Sequence, residues 1–146
     1  MKVNVKNMSQ IQRYEARFSS LSAFFLASAP SVADTENLEE TGNGVMESLS
    51  PLSFHYRTEE GHPCAISLDG DTLTVKRGFS EMRFTKGTTT TFIYRTGYGE
   101  IETEAFTDGI SLAERGGKWL LSLSYYARMG DVMQKNSMRF ILTPTV

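Results

Sequence analysis

The sequence predicts an all-β protein: a closed antiparallel up-and-down barrel of about eight strands, with room for one short N-terminal helix. Two observations predict it. From residue 52 onward apolar and polar residues alternate with a period of two, the pattern of strands with one buried face. The alternating runs are also short and are divided by Gly-rich turn signals. A meander of many short strands leaves two edges of unpaired N–H and C=O groups, and closing the sheet on itself removes both.

The first strand is expected at residues 2–9, where Val3-Asn4-Val5 alternates. The stretch after it is less regular. Between Gln10 and Ala29 the residues Phe18, Leu21, Phe25 and Ala29 fall at mixed helical spacing, so residues 17–36 read as a short amphipathic helix or an irregular insertion. Leu21-Ser22-Ala23-Phe24-Phe25-Leu26-Ala27-Ser28-Ala29, preceded by Arg13 and Arg17 and followed by Ser31-Val32-Ala33, has the outline of a signal-peptide core and cleavage site. The leader before it holds Glu15 and the strand-like Val3-Asn4-Val5, which argues against export and for a cytoplasmic protein. A further strand is expected near residues 38–48.

The later strands are plainer. Leu52 to Thr58 stops at Glu60-Gly61, and Cys64 to Leu68 stops at Asp69-Gly70-Asp71, a strong hairpin signal because glycine accepts positive φ. Thr72 to Arg77 runs into Gly78, and Glu81 to Lys86 runs into Gly87. Thr90 to Arg95 turns at Thr96-Gly97-Tyr98-Gly99 into Glu100 to Thr107, and Ile110 to Glu114 ends at Gly116-Gly117. Lys118 to Arg128 and Ser137 to Thr143 are the last two, flanking Gly130-Asp131.

Composition bounds the function. A chain of 146 residues is one domain and can bury about 70% of the surface its unfolded form exposes, so it needs no disulfide or structural metal. With 22% charged and 11% aromatic residues it is not a disordered chain. Its single cysteine, Cys64, forms no intramolecular disulfide and favours a reducing compartment. A net charge of −2 is unsuited to coating nucleic acid, so no DNA partner is expected. No apolar run is long enough to span a bilayer as a helix, and no membrane association is expected.

Alternation also assigns faces. Leu73, Val75 and Arg77, then Met82 and Phe84, Phe92 and Tyr94, Ile101, Thr103 and Ala105, Leu121, Leu123 and Tyr125, and Met138, Phe140 and Leu142 share the interior. The turn at 96–99 sets Arg95 opposite Glu100, Tyr94 opposite Ile101 and Phe92 opposite Thr103. Outside, residues 76–95 carry five cations against Glu81 alone, and residues 34–60 carry seven acids against Arg57. The basic stretch lies across from Glu100, Glu102 and Glu104, which suits a solvated ion-pair face.

Arg77 stands apart because its phase points it inward, where a guanidinium needs a partner. It can fork to the carboxylate of a small apolar molecule, with Tyr94 donating a second hydrogen bond, or it can satisfy turn carbonyls or an internal acid at the barrel end. On the first reading Arg77 and Tyr94 are polar anchors, and Phe84, Phe92, Tyr125 and Phe140 are the walls of a ligand site.

Signatures of catalysis and metal binding are sparse. His55, His62 and Cys64 offer three soft ligands, but Pro63 constrains the pair and no second cysteine completes a tetrahedral set. Asp69-Gly70-Asp71 lacks the spaced acids of a calcium loop, and Gly97-Tyr98-Gly99 has no helix after it to receive a phosphate. No nucleophile elbow or phosphate-binding loop is present, so no enzyme activity, cofactor or metal is expected.

Val75-Lys76-Arg77-Gly78, then Met82-Arg83-Phe84 and Gly87, Tyr94-Arg95-Thr96 with Tyr98-Gly99, Thr107, Gly116-Gly117, Leu123-Ser124-Tyr125 and Asn136 form an ordered set. In order and approximate spacing the set resembles the YwiB-like family of uncharacterised bacterial proteins across residues 70–143. The resemblance implies a closed calycin-like (lipocalin-like) barrel of about eight strands in a cytoplasmic bacterial protein, with no established activity. It also places Arg77, Tyr94 and Asn136 on the family's motif positions. Upstream the likeness thins: Glu39-Glu40-Thr41-Gly42 matches the family's acidic step, residues 17–36 look inserted, and Pro63-Cys64-Ala65 replaces a Thr-rich run. The expected function is binding of a small apolar or amphipathic ligand inside the barrel. The rival is a non-catalytic module that presents its charged outer surface to a protein or RNA partner, or to a second copy of itself as a homodimer.

Overall fold

The alternating runs from residue 52 onward all become strands, and so does the stretch before them that did not look like one. The computed structural model describes residues 12–26, 28–78, 80–96 and 99–145, so the strand expected at residues 2–9 and the turn residues 97 and 98 lie outside the described residues. The strands are β1 (Arg13–Leu26), β2 (Ala29–Leu49), β3 (Leu52–Thr58), β4 (Pro63–Asp69), β5 (Thr72–Arg77), β6 (Ser80–Thr85), β7 (Thr89–Thr96), β8 (Gly99–Arg115), β9 (Lys118–Met129) and β10 (Val132–Pro144). All pair antiparallel in one sheet, in the order β6-β5-β4-β3-β2-β1-β10-β9-β8-β7. Chain neighbours are sheet neighbours except β6 and β7, and β1 meets β10. One ladder is missing, between β6 and β7, so the barrel is nearly closed, with ten described strands rather than about eight.

Side chains close that seam. Thr90 Oγ1 donates to the Arg83 carbonyl at 2.6 Å, and the Arg95 N–H donates to Ser80 Oγ at 3.1 Å. At the turn end the Gly87 N–H donates to the Thr107 carbonyl at 2.8 Å and the Thr107 N–H to the Thr88 carbonyl at 3.1 Å, tying the β6–β7 connection to β8. These bonds join the two edges at several points without a regular ladder.

Most predicted registers appear as expected. Arg95 faces Glu100, Tyr94 faces Ile101 and Phe92 faces Thr103. Asp69 pairs with Thr72 across a turn in which Gly70 has a φ of 61°. The runs at 100–107 and 110–114 join into one long strand, β8, interrupted by a bulge between Thr107 and Gly109 that restores inward phase at Ile110.

Residues 17–36 correct the sequence reading. No helix occurs among the described residues, and residues 17–25 are not irregular: they form a continuous ladder with β2 from Arg17↔Thr41 to Phe25↔Ala33. β1 has period two after all, with Tyr14, Ala16 and Phe18 buried and Ser20, Ser22 and Phe24 following on the same face. The helical count was misled by Leu21 and Phe25, which lie on the opposite face, and Leu21 is exposed. β2 hid its phase for another reason. Pairing places Glu36, Leu38, Glu40, Gly42 and Gly44 opposite Ser22, Ser20, Phe18, Ala16 and Tyr14, so the interior row of β2 carries acids and glycines where strands normally carry apolar residues. The two glycines are required by close approach: a Cβ on Gly42 would sit 2.2 Å from the Arg57 carbonyl oxygen, and one on Gly44 would sit 2.1 Å from that of His55. Glycine at these positions lets the sheet bend sharply between β2 and β3.

Candidate functional site

Strand lengths position the site. β3 to β6 have six or seven residues each, whereas β1 has 14, β2 has 21 and β8 has 17. Pairing of β3 with β2 begins only at Gly42, so the N-terminal half of β2 has β1 on one side and no ladder on the other. One half of the barrel is consequently walled all round and the other is open on one side.

The walled half is filled by its own side chains. Phe54, Leu73, Val75 and Phe84 are fully buried, and Leu121, Phe140 and Leu142 are nearly so. Phe84 lies 4.6 Å from the Tyr125 ring and 5.6 Å from Phe92, and Phe140 lies 4.9 Å from Phe18, between ring centroids. The open half holds a cavity of about 340 Å³. Its walls come from Phe18 and Phe24 of β1, Phe92 and Tyr94 of β7, Tyr125 of β9 and Met138 of β10, with Glu36, Arg77 and Asn136 among its polar groups.

Four of the six expected site residues, Arg77, Tyr94, Phe92 and Tyr125, therefore meet at one cavity. Phe84 and Phe140 do not line it; they pack directly beneath its walls as a floor, because their inward positions fall one layer deeper in the filled half. Tyr94 is at the rim and 39% exposed. Asn136 is buried in the wall, its Nδ2 donating to Gln134 Oε1 at 3.0 Å.

Arg77 forks to an acid of the protein itself. From the end of β5 its Nη2 donates to Glu40 Oε1 of β2, reaching across the place where β3 and β4 have ended, and its guanidinium carbon stands 4.4 Å above the Phe18 ring. The two charged side chains are only 20% and 17% exposed. Buried pairing of this kind satisfies both charges, and Arg77 Nε remains buried without a hydrogen-bond partner. On its other side Arg77 borders a second, smaller cavity of about 170 Å³ with Glu40, Thr58, Cys64 and Ser80. Burial pushes the Cys64 thiol upward from its ordinary value, and it raises the Tyr56 and Tyr125 phenols as well, so all three are uncharged at neutral pH.

Glu36, which lines the cavity, and Glu40, which pairs with Arg77, were not among the expected site residues. The signal was present as Glu36-x-Leu38-x-Glu40 at period two, ending in Gly42 and Gly44, once an inward Arg77 required an interior acid.

Outside the cavity the titratable side chains of the described residues do not converge on one site. His55 is exposed and bonds Glu47 through Nδ1 at 2.9 Å, with both side chains at least half exposed, whereas Cys64 of the neighbouring strand is buried. Among the described residues no group of three or more His, Cys, Asp or Glu is placed to hold a metal ion. On the outside Arg95 pairs with Glu100 at 2.8 Å and Lys76 with Glu81 at 3.4 Å, matching the expected ion-pair face. A wider hollow of about 570 Å³ lies against Arg17, Glu39, Glu40, Thr41, Thr58, Glu59 and Glu60, but it lacks an apolar enclosure.

Fold and cavity together define a nearly closed antiparallel barrel with one packed and one open half. Residues 33–139 match the family model described as "Domain of unknown function (DUF1934)", and the chain belongs to that family. The crystal structure of ywiB protein from Bacillus subtilis is similar over 96% of this chain and 99% of that one, at a TM-score of 0.66 and 16% identity, a likeness of fold. No curated protein matches the sequence. The fragments that carried the YwiB-like resemblance meet in space: Glu40 of the acidic step pairs with Arg77, and Arg77, Tyr94 and Asn136 line one cavity.

Proposed function

We propose that this chain is a non-enzymatic, cytoplasmic binding protein that holds one small apolar or amphipathic molecule in the mouth cavity. The observation that carries this reading is the cavity itself. At about 340 Å³ it falls in the range of small-molecule sites, and its wall combines aromatic rings and methionines with polar groups such as Glu36, Arg77, Thr103 and Asn136. Protein interiors are close-packed, so a void of this size beside a fully filled half suggests a space kept for an occupant. Calycin barrels hold small apolar ligands in the same place, which supports the reading by analogy of fold alone.

Phe92, Tyr125, Phe18, Phe24 and Met138 would enclose the apolar body, and Tyr94 at the rim and Arg77 would lie beside it. Native mass spectrometry of protein purified gently from its own kind of cell tests this. A retained molecule below about 500 Da, released on denaturation, is the expected result. Bare protein that also fails to bind the neutral fluorescent probe N-phenyl-1-naphthylamine overturns the reading.

A further inference from the structure

We infer that the mouth cavity takes an amphipathic cation, a quaternary ammonium or protonated amine with a short apolar tail, whose charged head sits at Glu36; the inference rests on the cavity being a ligand site. Charge balance favours it. Glu36 and Arg77 are the charged groups among the described residues that line the cavity, and Glu40 already neutralises Arg77. Glu36 has no ion-pair partner among the described residues, so the lining is left with one negative charge in excess.

Strand phase keeps the free acid apart from the paired one. Along the inner row of β2, Glu40 stands opposite Phe18, Glu36 opposite Ser22 and Asp34 opposite Phe24. Four residues of strand set the Glu36 α-carbon about 13 Å outward from that of Glu40, so a head at Glu36 stays clear of the guanidinium. Asp34, one step further out with the same phase, adds to the negative field there. Cations next in sequence to lining residues take the outer face by alternation. There Arg95 pairs with Glu100 at 2.8 Å, Arg128 Nε donates to the Gly130 carbonyl at 3.2 Å, and Lys135 lies 5.8 Å from the Tyr126 ring centroid.

The walls suit the same guest. Phe24, Phe92, Tyr94 and Tyr125 turn rings to the space, and ring faces attract cations. One such contact is already built in, the Arg77 guanidinium 4.4 Å above Phe18. A carboxylate head would meet Glu36 as a like charge, and a neutral head would gain nothing from it.

Displacement of N-phenyl-1-naphthylamine by octyltrimethylammonium and by 1-octanol at pH 7.5 tests the inference, with the wild type beside Glu36→Gln and Glu39→Gln. Both variants remove one negative charge from exposed positions of the same strand, but Glu39 pairs with Ser19 on the outer face. The two competitors differ in hydration in any site, so the deciding quantity is their affinity ratio in variant against wild type, which cancels that difference. Glu36→Gln should weaken the cation relative to octanol by about fivefold. Glu39→Gln should leave the ratio within about twofold of the wild type. A ratio unmoved in Glu36→Gln, or lowered equally in Glu39→Gln, overturns the inference and leaves the cavity reading standing. A wild-type ratio unchanged between about 20 and about 500 mM sodium chloride overturns it as well, with no variant needed. Failure of the probe to bind at all removes the cavity reading and this inference with it.

Discussion

The packed and the open halves of the barrel are built from the same ten strands and the same alternation, yet they obey different rules. In the packed half most inward positions are apolar side chains opposed by others, as with Phe84 against Tyr125 and Phe140 against Phe18. In the open half the inward positions of the same strands turn to Ser20, Ser22, Glu36, Glu40, Arg77, Thr103 and Asn136. Hydrophobic burial fills one half, and the Arg77–Glu40 ion pair crosses the opening of the other. The contrast teaches that a strand's inner face changes character along its length once its neighbours end.

The packed half should break first. Phe84→Ala removes a fully buried ring and should cost about 3–5 kcal/mol in urea unfolding at pH 7. The ion pair comes next: Arg77→Met leaves Glu40 charged and largely buried, and stability should fall by about 3 kcal/mol or more. The double variant Arg77→Met with Glu40→Leu should recover most of that loss, since two apolar side chains replace both charges. A double variant as unstable as the single would assign the loss to packing of the arginine stem on Phe18. Gly44→Ala forces a methyl against the β3 backbone and should cost about 1–3 kcal/mol, read from the same melts.

Alkaline pH sharpens the comparison through the tyrosines. Burial raises the Tyr56 and Tyr125 phenols above their ordinary value of 10.0, so the contribution of these groups is complete below pH 10. It should be lost progressively as pH rises beyond that value, where the unfolded chain ionises and the folded one does not. A urea midpoint that rises between pH 9.5 and 11 would contradict their burial. The smallest effect is expected at the open rim. Tyr94→Ala should change stability by about 0.5 kcal/mol or less, because the ring is 39% exposed, while weakening binding of N-phenyl-1-naphthylamine several-fold.

By itself the sequence determined the strands from residue 52 onward, their faces, the hairpin at Gly70 and the register that sets Arg95 against Glu100, because period-two alternation and turn chemistry are local properties. It also determined that Arg77 points inward. What only the tertiary structure decided lies upstream and across the barrel. β1 and β2 carry serines, acids and glycines on their inner faces, so their phase becomes visible only beside the cavity, the ion pair and the bend that those residues serve. The partner of Arg77 was equally hidden. Glu40 is distant in sequence, and the two meet because β3 pairs with β2 only from Gly42 onward, which leaves the stretch of β2 that holds Glu40 open to a side chain from the end of β5. Local pattern fixes which way a side chain points, and strand length fixes what it finds there.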